Sequence, residues 1–400
     1  MKVLMVNKFL HHNGGSETYI FELGKKLQEE GHLVEYFGMD DEKRVVGNSI
    51  DCYTNSMNFH TNKIKKLLYP FKIIYSTEAK MKMEKVLNHF QPDIVHLNNF
   101  NFQLTPSIIY AVQKYKKTNH PNVKLVFTAH DYQLVCPNHM MKNGMTGENC
   151  ELCVGGKYGA CIKNKCIHNS TSKSILGAVE GLLYKYLKTY RFIDLIICPS
   201  EFLQEKLNKN PLLKNKTIAL HNFVEKNQAV ATEKKDYILY FGRFSEEKGV
   251  KTLAAVCKQL PHIQFIFAGG GPLKDTIDAV ENIHNVGFII KDELETLIKE
   301  AKFSIYPSEW YENCPFSVME SQIYGTPVLG ADIGGIPEII EVGKTGILFE
   351  AGNEEDLKAK IELLWKDSQF LAELTKGCES IEFDNLEEYC NKLIHLYQTT

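Results

Sequence analysis

The sequence predicts an α/β fold made of two doubly wound domains, and three observations carry that expectation. Its 400 residues exceed what a single hydrophobic core normally serves. Short apolar, β-branched runs alternate with longer helical patterns from end to end, the rhythm of parallel strands joined by right-handed crossover helices. A polar interruption around 209–235, with Asn210-Pro211, Asn222 and the run from Lys226 to Lys235, splits the rhythm into two series.

In the first series, strands are expected over 2–6, 32–38, 93–97, 124–129 and 194–198, with helices near 16–30, 77–89, 104–117 and 172–190. The second series places strands near 236–241, 263–268, 284–287, 303–306, 327–330 and 346–349. Its helices fall near 248–258, 292–300, 317–324 and 353–366. A last helix, 385–398, sets Tyr389, Leu393, Ile394 and Tyr397 along one face. In open α/β sheets ligands bind beyond the carboxyl ends of the strands, so the loops after each strand are where chemistry is expected.

Composition narrows the class. At 44% hydrophobic and 24% charged, the chain is that of a globular protein, without an apolar run long enough to span a bilayer. The Met1–Asn7 stretch resembles a buried strand and not a secretory leader, so a cytoplasmic location is expected. Residues 1–200 carry 25 Lys+Arg against 17 Asp+Glu (+8), and 201–400 carry 21 against 32 (−11), summing to the formal −3. A basic first half favours an anionic partner, a bilayer surface or a phosphorylated ligand. No basic motif interleaved with aromatics points to nucleic acid, which is not expected as a partner. The basic stretch Lys63-Ile64-Lys65-Lys66-Leu67-Leu68-Tyr69-Pro70-Phe71-Lys72 alternates apolar and cationic blocks, as a segment lying peripherally on the inner face of a membrane would.

The eleven cysteines, an odd number without an export signal, argue for free thiols in a reducing compartment. Cys150, Cys153, Cys161 and Cys166 have spacings that suit either a structural tetrahedral zinc site or a set of reduced thiols, with Cys136, His139 and His168 nearby.

Several strand-end loops carry candidate groups. Gly14-Gly15 follows the first strand and opens a helix, which suits close approach to a phosphate or an ordinary tight turn. His130 ends the strand from Lys124 and projects toward the ligand side; His96 holds an analogous place and also suits a packed imidazole. Gly242-Arg243 and Lys248-Gly249 place two cations past a strand, apt for a diphosphate that gains charge as a bond to it breaks. Gly269-Gly270-Gly271-Pro272 lacks the spacing of a dinucleotide fingerprint, which disfavours hydride transfer. The strongest signal is Glu312 and Glu320, one in a loop and one in the opening turns of a helix. Between them the amides of Phe316, Ser317 and Val318 face a diphosphate.

These residues together resemble the GT-B nucleotide-sugar glycosyltransferases, specifically the retaining glycosyltransferase family 4 group. The resemblance rests on Gly14-Gly15, His130, Gly242-Arg243 with Lys248-Gly249, Gly269–Gly271, the Glu312 and Glu320 pair, and Gly334-Gly335-Ile336-Pro337-Glu338. It implies two Rossmann-like doubly wound domains facing a central cleft, an acceptor-side domain over 1–216 and a nucleotide-sugar domain over 217–380. The C-terminal helix, in 381–400, would cross back to the first domain. It further implies that Arg243 and Lys248 neutralise the donor diphosphate and that Glu320 binds the ribose and Glu312 the donor sugar. His130 would contact the sugar near the reacting carbon, Gly15 would close over the diphosphate, and Phe288 would mark the base position. Gly242, Gly270, Phe316, Ser317 and Val318 complete the expected donor site. One departure is Asn313-Cys314-Pro315, where many members carry glycines and where Pro315 removes an amide donor.

The chemistry implied is retaining transfer from a nucleoside-diphosphate sugar to an acceptor hydroxyl, without a catalytic metal. The expected acceptor is a lipid-linked glycan in bacterial surface polysaccharide synthesis. A small soluble acceptor, a nucleotide-sugar epimerase and a zinc-stabilised scaffold remain as alternatives.

Overall fold

The computed structural model describes residues 1–55, 72–118, 120–225, 233–289 and 291–400. The chain forms two compact units, Met1–His221 with Leu386–Thr400, and Asn222–Asn385. The basic stretch 63–72 lies outside the described residues apart from Lys72.

The first unit is built on six parallel strands: β1 (Lys2–Val6), β2 (Leu33–Phe37), β3 (Ile94–Leu97), β4 (Lys124–Thr128), β5 (Leu195–Cys198) and β6 (Thr217–Ala219). Their order is β2-β1-β3-β4-β5-β6, so the direction of winding reverses between β1 and β3. β3 is buried at every position, the pattern of a strand covered on both faces. The helices are α1 (Gly15–Glu29), α2 (Thr77–Phe90), α3 (Ser107–Thr118), α4 (Gly159–Lys163), α5 (Thr171–Tyr186) and α6 (Glu201–Asn208). Ser76, Ser170 and Ser200 cap α2, α5 and α6, each side chain accepting from an amide in the first turn.

The second unit repeats the plan with β7 (Lys235–Arg243), β8 (Phe265–Gly270), β9 (Ile283–Gly287), β10 (Ala301–Tyr306), β11 (Val328–Ala331) and β12 (Gly346–Phe349). The order β12-β11-β10-β7-β8-β9 is the 3-2-1-4-5-6 arrangement of dinucleotide-binding sheets, with its switch point between β7 and β10. Around it lie α7 (Val250–Lys258), α8 (Lys274–Asp278), α9 (Lys291–Glu300), α10 (Phe316–Ile323), α11 (Glu354–Lys366) and α12 (Ser368–Glu379). Its core includes Phe265, Phe267, Phe303, Leu239, Met319 and Leu329, all fully buried.

The C-terminal helix α13 (Leu386–Thr399) belongs to the first unit and buries Tyr389, Cys390, Leu393 and Tyr397. A buried chain of hydrogen bonds fixes it there. The Tyr397 hydroxyl lies 2.6 Å from His96 Nδ1, His96 Nε2 lies 2.7 Å from Thr128 Oγ1, and Tyr19 links Thr128 (3.3 Å) to the Tyr389 hydroxyl (2.9 Å). Burial pushes His96 down to about 3, so it is a neutral packed imidazole at pH 7.

Candidate functional site

In the second unit, the loops that leave β7 and β10 are stitched together at the switch point. The Glu309 amide donates to the Glu247 carbonyl (3.1 Å), and Ser308 Oγ lies 3.2 Å from the same oxygen. Gly249 has φ +66°, and a Cβ there would sit 1.7 Å from the Pro307 carbonyl oxygen, so only glycine lets the two backbones approach. On this platform Lys248 Nζ donates to Glu312 Oε1 at 2.6 Å and to the Tyr306 hydroxyl at 2.9 Å. Ser308 Oγ donates to the same Glu312 oxygen at 3.1 Å, while Oε2 takes no hydrogen bond from a described residue. Burial works against the charge on Lys248, but the Glu312 carboxylate and Tyr306 outweigh it and hold the ammonium well above the ordinary lysine value.

Glu312 is also seated from β11. Gly334, at φ +60°, lies where a Cβ would come 2.4 Å from the Glu312 carbonyl oxygen, and the Gly335 amide donates to that oxygen at 2.7 Å. Asn222, at the start of the unit, fixes the next turn: its Nδ2 donates to the Cys314 carbonyl at 2.9 Å. Pro315 then serves as the N-cap of α10, where its missing N–H costs little.

The sequence candidates fall at identifiable places. Gly242 and Arg243 end β7, both exposed, with Arg243 paired in register to Gly270 at the end of β8. Among the described residues Arg243 forms no ion pair. Phe316, Ser317 and Val318 form the first turn of α10, but the Val318 amide donates to the Pro315 carbonyl (3.2 Å). The outward amides are therefore those of Phe316 and Ser317, two where three were expected. Glu320 lies one turn further along α10 and is half-buried. Phe288 follows β9, at the edge of the sheet two strands from β7, and is 95% exposed. Gly242, Arg243, Lys248 and Glu312 thus stand at the ends of the two strands that flank the switch point, with Lys248 and Glu312 in direct contact and Gly270 on the neighbouring β8.

In the first unit, Gly14 is the N-cap and Gly15 the first residue of α1, both exposed. His130 follows β4, with Nε2 2.9 Å from Asn98 Oδ1 and its ring edge-on to Tyr19 at 5.0 Å. Burial pushes the imidazole down to about 4 against the pull of Asp131, leaving it neutral at pH 7. Sequence reasoning missed the polar network beside it. The buried Glu17 accepts from Asn7 Nδ2 (2.9 Å), Asn7 Oδ1 accepts from the Asn99 amide (3.0 Å), and Asn99 Nδ2 donates to Ser16 (2.9 Å). The signal was present: Asn7 and Asn98-Asn99 directly follow β1 and β3, the strands that flank this sheet's switch point.

Among the described residues no group of three or more His, Cys, Asp or Glu is placed to hold a metal ion, and all eleven cysteines are free. Cys153 and Cys161 are packed with Tyr158 and Ala178 in a small apolar cluster, and burial pushes the Cys153 thiol up to about 11. Cys166 lies close enough to Cys153 and Cys161 to push their thiols further up, with Cys136 near the same group.

Comparison with known proteins gives two family matches that together run over most of the chain. Residues 13–228 match the model described as Glycosyltransferase Family 4, and 222–379 match Glycosyl transferases group 1. An uncharacterised glycosyltransferase of Methanocaldococcus jannaschii is 28% identical over 326 residues, covering 77% of this chain and 84% of that protein. Among solved structures, sucrose-phosphate synthase from Thermosynechococcus elongatus superposes with a TM-score of 0.70 at 17% identity, covering 100% of this chain and 98% of that one. HepE of Anabaena, in complex with UDP, superposes at 0.66 with 16% identity over 100% of both chains. At these identities the structural likeness establishes the GT-B fold.

Proposed function

The chain belongs to the glycosyltransferase family 4 group, and from that premise we propose that it is a retaining transferase that uses a nucleoside-diphosphate sugar to extend a lipid-linked glycan for a bacterial surface polysaccharide. The observation that carries the reading is the Lys248–Glu312 pair, held at 2.6 Å at the switch point with the exposed Arg243 at the strand end beside it. A diphosphate leaving group gains negative charge as its bond to the anomeric carbon breaks, and fixed cations stabilise that charge without reorganising. Arg243 and Lys248 supply the cations, and the first turn of α10 adds the Phe316 and Ser317 amides. These take the electrostatic role that a metal ion has in other transferases.

Glu312 Oε1 stays with Lys248 and Ser308, and Oε2 accepts from a donor-sugar hydroxyl. Glu320 accepts from the ribose. The acceptor oxygen forms its bond on the face the diphosphate leaves, and the departing diphosphate takes the acceptor proton, so no separate base is required. His130, neutral and held by Asn98, is suited to act as a hydrogen-bonding group and not as a general base. The UDP complex of the Anabaena neighbour supports uridine as the base to try first. The test is transfer from UDP-sugars to a lipid-linked acceptor, with the anomeric configuration of the product assigned by NMR. An α-linked product from an α-linked donor supports the reading. A β-linked product, or conversion of the donor to its epimer without transfer, overturns it.

A further inference from the structure

Among the described residues of the first unit, five of the twelve exposed large apolar side chains lie on one helix. Helix α5 packs its Ser174, Gly177, Ala178 and Tyr184 side inward: a Cβ at Gly177 would meet Ile167, and one at Gly181 would meet Tyr158. At 100° per residue, Ile175, Val179, Leu182, Leu183 and Tyr186 fall on another face as one continuous stripe. They are 45%, 45%, 50%, 36% and 85% exposed. A helix apolar on both faces requires a second partner, because an exposed apolar stripe of this kind costs free energy in water.

The surrounding charge selects that partner. Residues 154–192 contain Lys157, Lys163, Lys165, Lys173, Lys185, Lys188 and Arg191 against one acid, Glu180. All seven cations are exposed and none pairs with a described carboxylate, whereas Glu180 is buried. Lys185 borders the apolar stripe on one side, its Nζ bonded to the Gly155 and Gly156 carbonyls (3.3 and 3.1 Å), and Lys173 lies beyond the other side. Among the described residues no helix is long and apolar enough to cross a membrane. We propose that α5 lies in the plane of an anionic lipid surface, with Ile175, Val179, Leu182 and Tyr186 entering the acyl boundary and the flanking lysines meeting the headgroups.

A second copy of the chain is the competing occupant, and the uniform positive charge argues against it, since two such faces would repel. The test is co-sedimentation of the full chain with vesicles of phosphatidylcholine alone and with about one-third phosphatidylglycerol, without donor or acceptor. Binding is thereby measured apart from the transferase reading, and its failure would leave that reading standing. The expected result is binding to the anionic vesicles at least about tenfold tighter than to the neutral ones, weakened by salt. V179D combined with L182D should reduce it by at least about tenfold, and K173E combined with K188E should also weaken it, with thermal stability unchanged because all four positions are exposed. Equal binding to both vesicles, no binding, or a dimer by sedimentation velocity that V179D/L182D dissociates would overturn the proposal.

Discussion

Glu180 is a buried carboxyl whose Oε1 has no hydrogen-bond partner among the described residues, and burial pushes its pKa up to about 7 from an ordinary 4.5. Below pH 4.5 the group is protonated in both folded and unfolded chains and costs nothing. Between 4.5 and about 7 the unfolded chain releases the proton while the folded one keeps it, so stability falls by about 1.4 kcal/mol per pH unit. Above 7 the loss saturates, at about 1.4 times 2.5 units or roughly 3 to 4 kcal/mol. Glu180→Gln keeps the shape and removes the titration. Variant and wild type should therefore be of similar stability near pH 4.5. By pH 8.5 the variant should be more stable by about 3 to 4 kcal/mol, a shift of very roughly 6–16 °C for a unit of this size. Calorimetric melting of both proteins from pH 4.5 to 8.5 reads this directly. A stability difference that does not change with pH would refute the reasoning.

Because His130 is neutral with a pKa of about 4, the turnover of the wild-type enzyme should show no imidazole titration between pH 5.5 and 8; a step near 6.5 in kcat would contradict a hydrogen-bonding role. Gly249→Ala forces a side chain against the Pro307 carbonyl at a left-handed backbone position, so it should cost about 3 kcal/mol and abolish donor binding, as melting with and without nucleotide would reveal. Tyr397→Phe removes the hydroxyl 2.6 Å from the buried His96 and should cost about 1–3 kcal/mol in denaturant unfolding, with KM for the donor unchanged.

The fold was legible because its signals are local and repeated. Each long apolar run became a strand within two or three residues of its expected bounds, including β8, expected at 263–268 and found at Phe265–Gly270. What escaped was short or atypical. β6 has three residues, all half-buried at a sheet edge, too few for an alternation to register. α12 follows α11 with Asp367, its N-cap, alone between them, so no strand or loop sets it off as a separate element. Arg243, Lys248 and Glu312 were legible as candidates because they stand at strand ends. Their mutual geometry was not, since the contact of Lys248 with Glu312 joins residues 64 apart in sequence through the adjacency of β7 and β10. What the spacing of Cys150, Cys153, Cys161 and Cys166 does not carry is the burial of Cys153 and Cys161 among Tyr158 and Ala178, which pushes their thiols up.

The central claim is that the switch point of the second unit holds a nucleoside diphosphate. It is tested most directly by thermal shift of the wild type, Arg243→Ala and Lys248→Met against UDP and a panel of nucleoside-diphosphate sugars. A ligand that binds the native state raises its melting temperature by mass action, about 2.7 kcal/mol at a hundredfold excess over Kd. The account predicts a shift for wild type with at least one nucleotide sugar, and little or none for either variant at the same concentration. A full shift in both folded variants would contradict it, because the diphosphate would then be held without the cations assigned to it.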